Sequence, residues 1–197
     1  MLTNPIIENM ITRRSIRKYK SELRPQEILD TILESGRFAP SGSNTQKSHF
    51  LVFQAGEKLE KLKRLVVEAL ASMNAEDYAG FPARHRTILR LQKGYFDFVY
   101  NAPHLVVIAN EITYPNNMAD SVLASANMML AAHSLEIGSC YINLVHWAAD
   151  VPDVRAFLLE CGMKETESVY ASVALGYSDM MLPEPPARTG NLVTFVK

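Results

Sequence analysis

The amino-acid sequence predicts a mixed fold, α+β or α/β, in which a sheet core is flanked by helices. Two observations carry this expectation. Stretches with helical spacing alternate along the chain with short apolar runs of strand character. The composition is that of an ordinary globular protein, 48% hydrophobic and 21% charged over 197 residues. A chain of this length can bury one continuous core, and no linker, internal repeat or low-complexity tract divides it. Residues 1–197 therefore read as one domain.

Asn4 to Ile11 places Ile6, Ile7, Met10 and Ile11 at helical spacing, with Pro5 in the first turn. Pro25 opens a second helix whose apolar face is Ile28, Leu29, Ile32 and Leu33, and Gly36 is a plausible end. The polar run Ala39 to Gln46 follows as a loop. His49 to Gln54 reads as a strand. Glu57 to Ser72 reads as a charged amphipathic helix carrying Leu59, Leu62, Leu65 and Val66. In the stretch 73–101, Arg84 to Tyr100 reads as helical and aromatic. Pro103 to Ala109 is continuously apolar, as expected of a strand covered on both faces. Met118 to Ile137 is the longest helix candidate, and apolar around so much of its surface that it must be buried on several sides or form an interface. After it come a strand at Ser139 to Asn143, a helix at Asp150 to Glu160 and a strand at Ser168 to Leu175. The tail from Pro183 to Lys197 is Pro-rich and then strand-like at Leu192 to Val196, a pattern that asks for a pairing partner such as a neighbouring subunit.

The formal net charge of -1 argues against general attraction to nucleic acid or anionic lipid, so any anion recognition must be local. Nothing at Met1 to Met10 resembles a signal peptide, and no apolar run reaches ~18 residues without a charge. The expectation is a cytoplasmic protein. Cys140 and Cys161 are too few for a disulfide framework, and their spacing fits neither a redox pair nor a zinc cluster. The histidines His49, His85, His104 and His133 show no metal-ligand spacing. His104 and His133 read as structural, and no metal is expected.

Two segments carry recognisable chemistry. Arg13, Arg14, Ser15 and Arg17 concentrate three guanidinium groups and a hydroxyl within five residues. Guanidinium forks match phosphate oxygens in bidentate geometry. Read alone, the run is equally a solvated basic surface continued by Lys18 and Lys20. Pro40-Ser41-Gly42-Ser43-Asn44-Thr45-Gln46 concentrates hydroxyls and side-chain amides that can pair with a ring presenting donors and acceptors. Read alone, it is equally a surface turn. Neither a P-loop nor a dinucleotide fingerprint occurs anywhere in the chain.

In order along the chain, the run Arg13-Arg14-Ser15-Ile16-Arg17-Lys18-Tyr19, the helix near Pro25 and Ala39 to Gln46 resemble the nitroreductase family of flavoproteins. So do Asn101 to Ile108, Gly138 to Asn143, Ala174 to Tyr177 and the late Arg188. The resemblance covers nearly the whole chain. It implies an α+β fold with a mostly antiparallel sheet wrapped by helices, in an intertwined homodimer with FMN at the interface. It implies that Arg13, Arg14, Ser15 and Arg188 hold the FMN phosphate and ribityl chain. Arg17 would lie at the pyrimidine edge near N1 and O2, where a fixed cation favours electron acceptance. Pro40, Ser41, Gly42, Asn44 and Gln46 would reach the flavin held mainly by the other subunit. Tyr141, Ile142 and Asn143 would lie along the isoalloxazine, and Gly176 joins the cofactor-binding set. The Met118 helix would form the interface.

The activity implied is ping-pong hydride transfer from NADH or NADPH to a nitroaromatic, quinone, enone or flavin. Region 73–101 would shape the substrate pocket, with Phe81, Tyr95 and Phe96 as stacking candidates and His146 or Trp147 as substrate contacts. Three alternatives stay open. One is dehalogenation or consumption of the flavin on the same fold. Another is a flavin-binding sensor or storage protein. The last is a cysteine hydrolase pairing Cys140 with His146, for which no third orienting group is evident.

Overall fold

The computed structural model describes residues 2–22, 25–94 and 96–196. Its centre is β2 (His104–Glu111), the apolar run expected to be covered on both faces, and its residues His104 to Asn110 are buried. The alternation of a strand splits them between two cores. Leu105, Val107 and Ala109 face one core, and Val106 and Ile108 face the other. On either side of β2 lie β1 (His49–Gln54) and β4 (Glu167–Gly176), and β3 (Gly138–Tyr141) pairs with β4. The order is β1-β2-β4-β3 and every pairing is antiparallel. The expected α+β class with an antiparallel sheet is what the chain adopts. One irregularity, between Ile108 and Ala109, shifts the β2–β4 register.

Helices cover both faces. On one side α3 (Glu57–Ala71), α6 (Leu144–Ala148) and α7 (Pro152–Glu160) bring Leu59, Leu62, Val66, Leu70, Val145, Phe157 and Leu158 onto the sheet. On the other, α2 (Gln26–Arg37) and α5 (Asn117–Ser134) bring Leu29, Ile32, Ala124, Met128 and Ala132. Burying a leucine-sized side chain contributes about 1.5–3 kcal/mol, so these two layers dominate the stability. The chain enters through α1 (Pro5–Thr12), whose Asn4 cap accepts the Ile7 N–H at 2.9 Å. No residue of α1 is buried.

Three expectations differ in extent. Within Arg84 to Tyr100 the helix is α4 (Pro82–Gln92), and the chain turns after it, with Asp97 accepting the N–H groups of Val99 and Asn101. Tyr95 lies outside the described residues. The short helix α6 was not anticipated, because five residues cannot display a helical period. The tail from Pro183 to Val196 is exposed and forms no strand among the described residues. A strand needs a partner, and the tail pairs with none of the four described strands. Among the described residues, no helix is long and apolar enough to cross a membrane.

Candidate functional site

The arginine segment is laid along β3 at the open edge of the sheet. Ser15 bridges Ser139 in parallel, and the Ile16 N–H donates to the Ser139 carbonyl at 2.9 Å. Further on, Tyr19 bridges Ser178, and the Lys20 N–H donates to the Tyr177 carbonyl. These bonds fix Arg13 at the end of α1 and point Ile16 and Tyr19 inward. Arg17 stays exposed.

A cavity of about 300 Å³ opens here, lined by Arg13, Arg14, His133, Gly138, Ser139 and Leu182 among others. Three buried donors beside it have no hydrogen-bond partner: Arg13 Nη1, Arg14 Nη2 and Ser139 Oγ. Burial pulls the Arg13 guanidinium below its ordinary pKa, and Arg14 and Arg188 add to this while Cys140 opposes it. Arg188 of the extended tail is thus within electrostatic range of Arg13. Arg188 itself is exposed and is not among the residues that line the cavity. The exposed Glu136 is the acidic residue on the cavity wall.

Arg14 is more committed than its neighbours. Its Nη1 donates to the Ile11 and Arg13 carbonyls, and its Nε donates to Pro183 at 3.2 Å. It ties the tail to α1 and keeps one donor over. His133, expected to be structural, lines the same cavity, with Nε2 2.9 Å from Thr12 Oγ1. Burial lowers its pKa, and Arg13 and Arg14 lower it further. Its place at helical register near the end of α5 was visible in the sequence; its neighbours across the fold were not.

The loop Pro40 to Gln46 sits elsewhere. It contains a short 3-10 turn, and Ser43, Asn44 and Gln46 all have left-handed backbone (φ 53, 54 and 52). Such conformations cost of order 1 kcal/mol each for non-glycine residues and persist only where surroundings enforce them. The enforcing groups come from the first turn of α5 and the turn just before it. Asp120, only 4% exposed, accepts the Tyr114 hydroxyl at 2.8 Å and the Gly42 N–H at 3.3 Å. Thr45 Oγ1 donates to Tyr114 Oη at 3.1 Å. Gly42 is packed so closely that an added Cβ would stand 2.2 Å from Asn116 Nδ2 and 2.6 Å from Tyr114 Oη. Asn44 and Gln46 project from this frame, exposed.

The two regions lie at opposite ends of α5. Asp120 and His133 are thirteen residues apart on one helix, about 20 Å at 1.5 Å per residue. The cavity beside Pro40, Ser41 and Asp120 shares no lining residue with the arginine cavity.

Of the other candidates, Tyr141 ends β3 half-buried, Ile142 is buried, and Asn143 is exposed at the start of α6. Gly176 is buried where a Cβ would meet Pro103 at 2.6 Å and Tyr19 at 2.9 Å, so packing accounts for the glycine. Burial pushes the Cys140 thiol up in pKa, with Arg17 and Arg13 pulling the other way. His146 Nδ1 donates to the Val169 carbonyl at 2.7 Å, and Cys140 Sγ faces the Tyr141 carbonyl. A buried thiol with raised pKa and a histidine turned to the main chain do not make a nucleophile and base. Phe81, His146 and Trp147 share an apolar cavity of about 450 Å³ with Tyr78 and Arg84.

Comparison with known proteins gives a consistent result. A solved FMN-bound nitroreductase from Bacteroides fragilis is 35% identical, with each chain covered almost completely (99% and 100%) at a TM-score of 0.86. A putative NADH dehydrogenase/NAD(P)H nitroreductase from Methanothermobacter thermautotrophicus is 26% identical over 87% of this chain and 76% of its own length. An FMN reductase (NADPH) from Bacillus subtilis is 27% identical over 71% of this chain and 54% of its own. The model of the nitroreductase family matches residues 10–177, from the arginine segment through the end of β4, and the chain belongs to the nitroreductase family.

Proposed function

We propose that the chain is one subunit of a homodimeric, FMN-dependent NAD(P)H oxidoreductase. The observation that carries this is the arginine cavity. Arg13 and Arg14 line it together, no described residue pairs either with a carboxylate, and three buried donors stand idle. Unsatisfied buried donors cost free energy, and a phosphate dianion is the ligand that would satisfy several together. The group therefore fits. The Bacteroides fragilis relative is described with bound FMN, and the Bacillus subtilis relative by its use of NADPH.

In this reading Arg13, Arg188, Ser15 and the spare donor of Arg14 hold the phosphate and ribityl chain. Arg17 stands at the pyrimidine edge, where its charge favours electron acceptance. Tyr141 to Asn143 lie along the ring, and Asn44 and Gln46 offer amides to its polar edge. FMN, when bound, supplies the redox chemistry: hydride acceptance from NADH or NADPH and its return to a small oxidant such as a nitroaromatic or quinone, in ping-pong order.

The dimer reading rests on the placement of the loop and the arginine cavity beside opposite ends of α5, at Asp120 and His133. A twofold axis pairing two α5 helices antiparallel brings the loop of one chain to the arginines of the other. The face available for this is apolar: Met118, Val122 and Leu123 are exposed on α5, and Ile6 and Met10 on α1. The tail's exposed Leu192, Val193, Phe195 and Val196 fit the second open surface, a groove of about 640 Å³ along the unpaired edge of β1.

The decisive measurement is the visible spectrum of purified protein before and after NADH or NADPH without oxygen. We expect flavin absorbance that the donor bleaches and an oxidant restores. Protein that stays colourless with added FMN, or bound flavin that neither donor reduces, overturns the reading.

A further inference from the structure

We propose that Asp120 and Tyr114 are positioning residues for the loop that meets the flavin ring, so that the start of α5 sets ring geometry while its end serves the phosphate. This rests on the cofactor reading above and extends it to two residues outside the candidate binding set. The geometry is specific. Asp120, the one carboxylate in α5, is buried in its first turn, and its hydrogen bonds go to the Tyr114 hydroxyl and the Gly42 N–H. Tyr114 Oη is the shared node: it donates to Asp120 and receives Thr45 Oγ1. Through Gly42 and Thr45 the pair grips the loop on both sides of Ser43 and Asn44, the two consecutive left-handed residues.

A surface turn needs no such strut. Polar loops are ordinarily satisfied by water, and a buried carboxylate is a costly way to hold one. Asn44 and Gln46 have their side chains displayed outward by the backbone that Asp120 and Tyr114 enforce. A displaced loop leaves the arginine cavity intact at the far end of α5, and it moves only the amides aimed at the ring. Small errors in that placement are costly for hydride transfer, because near-attack geometry tolerates little displacement.

The test uses Tyr114→Phe and Asp120→Asn in the full-length FMN-loaded protein. Tyr114→Phe removes one hydroxyl from a half-exposed side chain and keeps the ring. Three readouts are needed: exchange of the Gly42 amide hydrogen, the visible circular dichroism of bound flavin, and kcat and KM for NADH oxidation. Faster Gly42 exchange, an altered flavin band and a kcat lower by about tenfold or more support the proposal. Binding of inorganic phosphate, which probes the arginine cavity alone, is expected to stay unchanged. Gly42→Ala, whose Cβ is driven against Tyr114 and Asn116, should reproduce the same signature. Faster Gly42 exchange with an unchanged flavin band and unchanged kcat overturns the positioning role, as does a lowered melting temperature with no other effect. A wild-type protein that takes up no flavin overturns the cofactor reading itself, and Gly42 exchange in that apoprotein still reports whether the strut exists.

Discussion

Guanidinium groups held together repel one another, and Arg13 and Arg14 line one cavity with buried donors unfilled. An anion entering the cavity would satisfy those donors and screen that repulsion. Removing Arg13 deletes charge-assisted bonds of about 1.5–3 kcal/mol, so Arg13→Ala is expected to weaken FMN retention roughly ten- to a hundredfold. Fluorescence titration of apoprotein measures it, and an unchanged affinity would remove Arg13 from the site. Arg17→Ala should behave differently, lowering the flavin midpoint potential more than it weakens binding, because Arg17 is exposed and assigned to the ring edge rather than the phosphate. An unchanged potential with unchanged turnover refutes that assignment. A third residue makes a purely structural prediction. Burial pushes the pKa of Glu167 up, but the His49 hydrogen bond at 2.8 Å and the Lys164 N–H at 2.9 Å outweigh it, and the carboxyl lies below its ordinary range. A depressed folded-state pKa contributes stability that is complete above the unfolded value, about 4.3, and is lost as pH falls through the folded one. Glu167→Gln should therefore lower stability at neutral pH and flatten the loss below about pH 4.3, checked by denaturant melts across that range. At this scale the arginines were legible as candidates for phosphate because that chemistry is explicit in the residue type, though composition alone left them equally a solvated surface run. His133, Asp120 and Tyr114 were not, because each acquires its role from a neighbour distant in sequence or from a strained loop that composition describes only as polar.

Elements with a clear period were legible almost to the residue. His49–Gln54 is the strand expected, whereas α5, expected to be buried on several sides or to form an interface, is buried on one face among the described residues. The sequence could not separate the buried side of α5 from a side awaiting a partner, since both are apolar. The structure does: Ala124, Met128 and Ala132 face the sheet, while Met118, Val122 and Leu123 remain exposed. Ala126 lies on the partly exposed side, at helical spacing from Val122 and Leu123. Ala126→Arg puts a bulky cation in the middle of that stripe without entering the core. It is expected to give a monomer in sedimentation that has also lost most of its flavin, because the loop and the arginines then no longer meet. A dimer that keeps its flavin would show that the interface lies elsewhere. The 73–101 stretch was the least legible, as its helix α4 is bounded by turns whose geometry rests on Asp97 and Gln92 bonding the main chain. Such bonds leave no periodic trace in the sequence.

For the whole molecule, a cofactor site divided between two chains ties ligand binding to assembly. If the arginines of one subunit and the loop of its partner both grip one FMN, the dimer binds FMN more tightly than the monomer, and by linkage FMN tightens the dimer by the same factor. Inorganic phosphate is expected to engage only the arginine cavity, whose lining, from Arg13 and Arg14 to Leu182 of the tail, comes from a single chain. The two ligands should therefore separate. At about a hundredfold excess over its dissociation constant, either one stabilises the folded chain by about 2.7 kcal/mol and raises the melting temperature. Only FMN should also shift the monomer–dimer equilibrium measured by sedimentation at low protein concentration. Removing residues 183–197 sharpens the comparison, because it deletes Arg188, the Pro183 carbonyl that anchors Arg14 and the apolar segment assigned to the β1 groove. The truncated protein should lose affinity for both ligands and dimerise more weakly. Phosphate that strengthens the dimer as much as FMN does would instead place the whole linkage in the arginine cavity, and the loop would have no part in holding the partner's cofactor.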